Sequence, residues 1–399
     1  MRADEVDRYE LKKQEFFEKK KRRVMRNRMI IVGIGAALVL LIVLIIILIV
    51  NVAKGASDQQ QTLETVSSQP ADATVEAVTE APTEDLLSIN TYISADVEDD
   101  GTDGVYDASQ YVWHKQAFSL FYGDQSTAER YAQTMNTAAE TFGANVKTYS
   151  LIAPLHTEFG LPERLRVGEN AIDNYSAAEY LKNSYTAMNS SVIPVNPYNM
   201  LSSHCDEYIY FNSDHHWTGL GAYYAYSAFA QTAGLPVLNL SDCTEHKIDG
   251  FNGTLTKVVS AELDSDSVYY WTFPYDVTDT VTEESGDTYE YDSCYYEFAE
   301  PGDNTYGVFL MGDKPLEVIR SSSDASNGEK IVVIHESYGN AFIPYLTYNY
   351  DEVYSVDFRY FTGDLSDFCE ENGITNVLFL NNVMSSATLT VLETIEGLL

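Results

Sequence analysis

The strongest constraint on the fold is a set of short, continuous apolar runs separated by stretches of helical spacing. The runs are residues 146–153 (VKTYSLIA), 330–334 (KIVVI), 353–357 (VYSVD) and 376–380 (NVLFL). A strand with one wet face alternates apolar and polar residues, whereas a strand covered on both faces does not. Residues 128–142, 177–188, 221–231 and 365–371 instead repeat apolar side chains at three- and four-residue intervals, which places them on one face of a helix. Residues 337–345 should turn out of the preceding strand and open another helix. This alternation predicts an α/β domain with a parallel sheet between layers of helices. Residues 208–211 (YIYF) read as one further short strand. Residues 245–328 break the pattern with short Thr/Val/Tyr runs among many acids, and read as an antiparallel β or loop insertion.

Charge is spread unevenly along the chain. The 399 residues carry a formal net charge of −36. Residues 1–28 hold 11 Lys/Arg against 6 Asp/Glu, residues 29–50 hold none of either, and residues 51–399 hold 13 against 54. The uncharged run of 22 residues would reach about 33 Å as a helix, enough to cross a hydrocarbon core of roughly 30 Å. A cleaved signal peptide has a shorter apolar region of about 7–15 residues. The expectation is therefore a single transmembrane helix at 29–50. The basic cluster at 19–23 would keep residues 1–28 cytoplasmic and send the rest outside. That placement points away from a cytosolic enzyme and puts the chain at the cell membrane, single-pass, as a signal-anchor protein. Residues 51–87 read as a disordered stalk, since 54–86 contain no aromatic residue and too little apolar surface to order themselves. Residues 88–399 read as one extracellular domain. Its acidity excludes nucleic-acid binding, which needs a basic stripe. Cys205, Cys243, Cys294 and Cys369 are too scattered for a disulfide framework, leaving one Cys205–Cys243 bridge or free thiols as the alternatives.

In an open parallel sheet, sites form at the carboxyl ends of the strands. Residues 330–334 lead into His335, Glu336 and Ser337, and residues 208–211 into Asn212, Ser213, Asp214, His215, His216 and Trp217. The other three runs lead into Phe358 and Arg359, into Asn381 and Asn382, and into Pro154, Leu155 and His156. A serine hydroxyl is a weak nucleophile until a histidine takes its proton, and a carboxylate fixes the tautomer of that histidine. Ser337, His216 and Asp214 supply those three parts. Ser337 also sits at a strand-to-helix turn, where backbone N–H groups and a helix N-terminus can hold an oxyanion. Ser337 as a mere helix N-cap is the plain alternative. Trp217 is either a sugar-stacking surface or a wall of the core, and Arg359 either an anion clamp or the partner of Asp357, Glu352 or Asp214. His215 reads as an exposed neighbour of the base. A metal site would draw on Asp214, His215, His216 and His204, but adjacent histidines diverge on an extended chain and no H-x-x-x-H spacing occurs. No metal and no cofactor is expected.

Several tracts carry a family resemblance. Residues 213–230 (SDHHWTGLGAYYAYSAFA) resemble the tract that names the DHHW protein family, and are similar to the D-x-H-W tract of alginate O-acetylation proteins. Residues 330–346 (KIVVIHESYGNAFIPYL), 354–361 (YSVDFRYF) and 251–257 (FNGTLTK) resemble further blocks of that family. The resemblance spans roughly residues 110–385 and implies an SGNH-hydrolase-like three-layer fold. In ordinary SGNH hydrolases the serine block comes first and the Asp-x-x-His block last. Here Asp214 and His216 precede Ser337, so the resemblance implies a circular permutation. Runs 330–334, 353–357, 376–380, 146–153 and 208–211 would then be strands one to five. By position Ser337 matches the family serine, Asp214 and His216 its D-x-H pair, and Asn381 or Asn382 the superfamily's oxyanion Asn. Two residues depart from the pattern. Glu336 stands where Asp usually precedes the serine, and His156 where related acetyltransferases often have Lys.

The resulting expectation is a serine-dependent O-acetyltransferase or O-acetyl esterase acting on an extracellular or cell-surface polysaccharide, with a multi-pass membrane O-acyltransferase as a possible donor partner. Asn381, Asn382, Arg359, Trp217 and His156 are the candidate substrate or oxyanion contacts. The acidity of residues 51–399 favours a neutral glycan, or a cation-bridged one, over a polyanion. The rival reading is a non-catalytic surface protein that keeps the fold and binds carbohydrate.

Overall fold

The computed structural model describes residues 84–167 and 176–399, all within one compact unit. In chain order the strands are β1 (Val105–Asp107), β2 (Gln110–Trp113), β3 (Gln116–Ser119), β4 (Lys147–Ala153), β5 (Val192–Val195), β6 (Thr244–Phe251) and β7 (Asp266–Thr272). They continue with β8 (Val277–Thr282), β9 (Thr288–Tyr291), β10 (Leu316–Ser321), β11 (Lys330–His335), β12 (Glu352–Asp357) and β13 (Asn376–Asn382). The described helices of eight residues or more are α1 (Gln125–Phe142), α2 (Ala177–Ala187), α3 (Gly219–Thr232), α4 (Tyr338–Leu346), α5 (Leu365–Asn372) and α6 (Leu389–Glu396).

Eight strands form the main sheet in the order β5-β4-β13-β11-β12-β10-β8-β9. The first five are parallel, and β10, β8 and β9 extend the sheet antiparallel. The expected parallel sheet is present as the first five strands, and part of the expected insertion extends it into a mixed sheet. The alternation of Thr, Asp and Val in these added strands suits antiparallel strands with one partly wet face, as read, but does not reveal that they join this sheet. The remainder of the insertion forms the β6–β7 hairpin, and β1–β3 form a separate meander. Counted from β11, the parallel strands lie in the order 2-1-3-4-5, with the order reversing between β11 and β13.

The continuous apolar runs fold as their pattern demands. Ile331, Val332, Val333 and Ile334 in β11 are each 0 % exposed, and each such side chain contributes roughly 1.5–3 kcal/mol by leaving water. Helices cover both faces. On β4, Ser150 meets the Tyr131 hydroxyl of α1, while neighbouring Tyr149 packs its ring against Phe229 of α3. Successive strand residues point to opposite faces, so α1 and α3 lie on opposite sides. A capping box starts α1: the Asp124 carboxylate accepts from Thr127 N, and the Thr127 hydroxyl from Asp124 N. The far end of the chain docks back onto α1 through a two-pronged Arg130–Glu396 ion pair at 2.5 and 2.7 Å.

Two expectations fail. Residues 208–211 are not the fifth strand; that position is taken by β5, beside β4. Tyr210 instead makes an isolated bridge with Trp217, folding the chain back on itself to close the loop between them. The second failure is the membrane placement. The span expected at 29–50 lies outside the described residues, and among those described no helix is long and apolar enough to cross a membrane. Single-pass anchoring is therefore not supported. The stalk expected at 51–87 falls almost wholly outside the described residues too. All four cysteines are free, so the Cys205–Cys243 bridge is not formed.

Candidate active site

The parallel strands end in register at one edge of the sheet. His335 pairs with Asp357 and Leu380, and Asn382 pairs with Ala153. Their following loops therefore open together, at the point where the strand order reverses. Ser337 lies two residues past the end of β11 and immediately before α4. Gly339 makes the tight turn possible, since a Cβ there would lie 2.4 Å from the His335 ring.

The loop carrying Asp214 and His216 arrives from across the fold and is held from several sides. Asp266, the first residue of β7, accepts from Asn212 N and Ser213 N at 2.8 Å, from the Tyr208 hydroxyl at 2.5 Å and from the Ser213 hydroxyl. Burial pushes the Asp266 carboxyl up, and these donors oppose the shift. The Tyr338 hydroxyl donates to His215 O. Leu255 N donates to Ser213 O at 3.0 Å. Gly253 permits this close approach, because a Cβ would lie 2.2 Å from Ser213 O.

Asp214, His216 and Ser337 meet in one hydrogen-bonded line. His216 Nδ1 lies 2.5 Å from Asp214 Oδ1, and His216 Nε2 lies 2.7 Å from Ser337 Oγ. With the proton on Nδ1 donated to the carboxylate, Nε2 is free to accept from the serine hydroxyl. Asp214 Oδ2 accepts from Thr254 N at 2.7 Å and from Thr254 Oγ1 at 2.9 Å. Burial alone would raise the Asp214 carboxyl, but the two imidazoles and Thr254 N outweigh it and hold it well below the usual carboxylate range. Asp214 and His216 are 2 % and 5 % exposed, while Ser337 is half-buried. The Tyr306 ring stacks on His216 with centroids 4.1 Å apart and planes 13° from parallel. Its hydroxyl donates to Ser337 O at 2.9 Å.

Glu336 ties the serine turn to the end of β13. Its Oε1 accepts from Asn382 N and Asn382 Nδ2, both at 2.8 Å. Its Oε2 accepts from Tyr338 N at 3.0 Å and lies 3.4 Å from Ser337 Oγ. Asn382 is thus oriented at the site, and its Oδ1 caps the short turn after β13 through Met384 N and Ser385 N. Asn381 points the other way, toward α1, where it accepts from the Tyr131 hydroxyl.

The remaining candidates are held by other partners. Trp217 is 0 % exposed and donates its indole N–H to Tyr338 O at 3.0 Å, which makes it a wall of the core. Arg359 grips Asp357 through Nε and an Nη, and the same Nη also contacts Asp313 at 3.0 Å. His156 stacks on Tyr210 and packs against Phe118, and burial pushes its pKa down to about 3. Asp214, His215 and His216 offer ligand atoms within 4.8 Å of one another. Both His216 nitrogens are engaged in the line just described, so a metal there would have to displace it.

Reading the sequence missed Thr254, Tyr306 and Asp266, all from the segment taken as an insertion. Thr254 had a signal, since it lies inside the FNGTLTK tract. Tyr306 and Asp266 are distant in sequence from the residues they hold and carried none.

The comparisons agree with this architecture. A family model described as DHHW protein matches residues 84–356. Among solved structures, a DHHW family protein from Eubacterium siraeum is similar with a TM-score of 0.66 and 30 % identity, over 74 % of this chain and 97 % of that one. Bacillus cereus PatB1 is similar in fold, with a TM-score of 0.60 and 19 % identity over 71 % of this chain and 99 % of its own. PatB1 with a sulfonyl adduct gives a TM-score of 0.58 at the same identity, over 71 % and 97 %. No curated protein sequence matches the chain. With more than half of its length matched by the family model, this chain belongs to the DHHW protein family.

Proposed function

We propose that the chain catalyses acyl transfer at carbohydrate hydroxyls, as an O-acetyltransferase or O-acetyl esterase acting on a polysaccharide. The observation that carries this reading is the Asp214–His216–Ser337 line, at 2.5 and 2.7 Å, on the open edge of the parallel strands. Ser337 Oγ attacks the acyl carbonyl carbon as its proton passes to His216 Nε2. The bond from carbonyl to leaving oxygen then breaks, and His216 returns the proton to that oxygen. A second hydroxyl, from sugar or water, repeats the sequence on the acyl-serine and frees Ser337. Asp214 holds the His216 tautomer and balances the imidazolium that forms. Asn382 serves the oxyanion by exchanging its Ser385 contact for the acyl oxygen.

Family membership supports this reading, as does the fold shared with PatB1, a protein captured as a sulfonyl adduct. The strand order counted from β11 supports a circularly permuted SGNH arrangement, with Ser337 after the first strand and Asn382 after the third. A multi-pass O-acyltransferase partner supplying the acyl group would make the chain a transferase; water as acceptor makes it an esterase.

The test uses full-length protein with phenylmethanesulfonyl fluoride and with nitrophenyl acetate. The expected result is one sulfonyl adduct on Ser337 by peptide mass and nitrophenol release abolished by Ser337→Ala. Wild-type protein that neither reacts with the fluoride nor cleaves the ester would overturn the proposal in favour of a non-catalytic carbohydrate binder.

A further inference from the structure

A groove of about 370 Å³ opens beside the serine turn, bounded by His215, Tyr338 and Asn382 on one side and by Gln110 and Tyr122 of the meander region on the other. Its size is at the small end of the roughly 300–1,000 Å³ usual for ligand sites, suited to one or two rings rather than a long chain. Among the described residues that line it, none is Lys, Arg, Asp or Glu. This is unexpected in a chain whose residues 51–399 contain 54 acids. Its walls are aliphatic, from Leu120, Leu155, Leu255 and Val391, with hydroxyl and amide groups between them.

One group on its walls is an accessible hydrogen-bond acceptor with capacity left. The Thr254 hydroxyl has one proton, and Asp214 Oδ2 takes it at 2.9 Å. Thr254 Oγ1 must therefore accept from His215 Nδ1, 3.0 Å away, so His215 carries its proton on Nδ1. Nε2 then presents a lone pair, on a side chain that is 37 % exposed. Burial and the neighbouring His216 push the His215 pKa down to about 4, which keeps it neutral near pH 7. Gln110 in the opposite part of the lining is only 8 % exposed, and its side-chain oxygen is sealed from solvent, so it shapes the wall without contacting a ligand. Tyr122, 70 % exposed at the rim, offers an aromatic face.

We infer that this groove binds an uncharged sugar unit of a glycan, with His215 Nε2 accepting a hydroxyl proton and Tyr122 stacking on the ring. Sugar hydroxyls are donors that such an acceptor can read, and a site built to pair with a hydroxyl discriminates strongly against ligands lacking it. A uronic acid brings a carboxylate that meets no cation in the groove and would be desolvated unpaired. This inference rests on the acyl-transfer reading for its orientation toward Ser337, but the binding itself does not require catalysis.

The test is calorimetric titration of full-length Ser337→Ala protein with neutral hexasaccharides (gluco-, xylo-, manno- and chito-oligosaccharides) and with oligogalacturonate and oligoalginate. The expected result is binding of at least one neutral probe, with uronate probes at least tenfold weaker. Tyr122→Ala weakens the neutral probe by about tenfold, the equivalent of about 1.4 kcal/mol. Uronate binding equal to or tighter than neutral binding overturns the inference, as does absence of binding by every neutral probe or an unchanged affinity in Tyr122→Ala. Failure of sulfonyl capture in the wild type strikes the catalytic reading alone and leaves these titrations interpretable.

Discussion

Replacing Glu336 by glutamine tests the physical basis of the serine turn. Glu336 is 4 % exposed, and three N–H groups converge on its two oxygens: Asn382 N, Asn382 Nδ2 and Tyr338 N. A carboxylate accepts at both oxygens, whereas a carboxamide of the same shape has one acceptor and one donor. In the Glu336→Gln variant the best orientation of the new side chain keeps its oxygen toward Asn382 and turns its NH₂ toward Tyr338 N. Hydrogen bonds to a charged group contribute about 1.5–3 kcal/mol and neutral ones about 0.5–1.5 kcal/mol, so each retained bond loses about 1 kcal/mol. The Tyr338 N–H, now buried against another donor, costs about 1–3 kcal/mol more. The expected loss is about 3–5 kcal/mol of unfolding free energy, measured by urea denaturation at pH 7. The same change leaves the turn poorly held, so sulfonyl capture at Ser337 should slow more than tenfold. A stability change below about 1 kcal/mol together with an unchanged capture rate would refute the claim that this carboxylate anchors the site.

Two further outcomes follow from the insertion. Tyr306→Phe removes only the hydroxyl bonded to Ser337 O and should cost about 1 kcal/mol of stability with ester hydrolysis largely retained. Tyr306→Leu also removes the ring stacked on His216 and should lower kcat up to about tenfold further; equal kcat in the two variants would show that the stacking does not position the base. Asp279 of β8 and Glu317 of β10 are buried on neighbouring strands, with none of their four oxygens hydrogen-bonded. Burial pushes Asp279 up to about 8 and raises Glu317 as well. An unfolded aspartate titrates near about 3.9, so above that pH the unfolded chain sheds a proton that the folded chain keeps. Stability from this pair is greatest below about pH 4 and falls as pH rises through about 8. Asp279→Asn removes part of that loss, so its melting temperature should gain on wild type between pH 5 and pH 8; parallel curves would refute the assignment.

The continuous apolar runs of β4, β11, β12 and β13 were readable because a strand buried on both faces needs apolar residues at every position, whatever its neighbours are. The serine at the end of β11 and the Asp-x-His pair were readable because their types and the tract around them are local. Which strand occupies the fifth parallel position was not. Both 192–195 and 208–211 are short and apolar, and only packing beside β4 selects the first while the Tyr210–Trp217 bridge claims the second. That the antiparallel strands extend this same sheet was not legible, because Asp279 and Glu317 place acids on positions that are buried.

The roles of individual side chains divide along the same line. By itself the sequence determined an α/β core and the residue types able to form a nucleophile, base and orienter. Only the tertiary structure decided that Asp214, His216 and Ser337 share one line, that Arg359, Trp217 and His156 are held by other partners, and that Thr254 and Tyr306 contact that line. Periodicity records whether a residue is buried within its own element, since burial depends on local spacing. Which distant hydroxyl, ring or carboxylate it meets depends on how the elements pack, and residues 121 positions apart, such as His216 and Ser337, come within hydrogen-bonding distance only once the sheet and its covering helices are assembled.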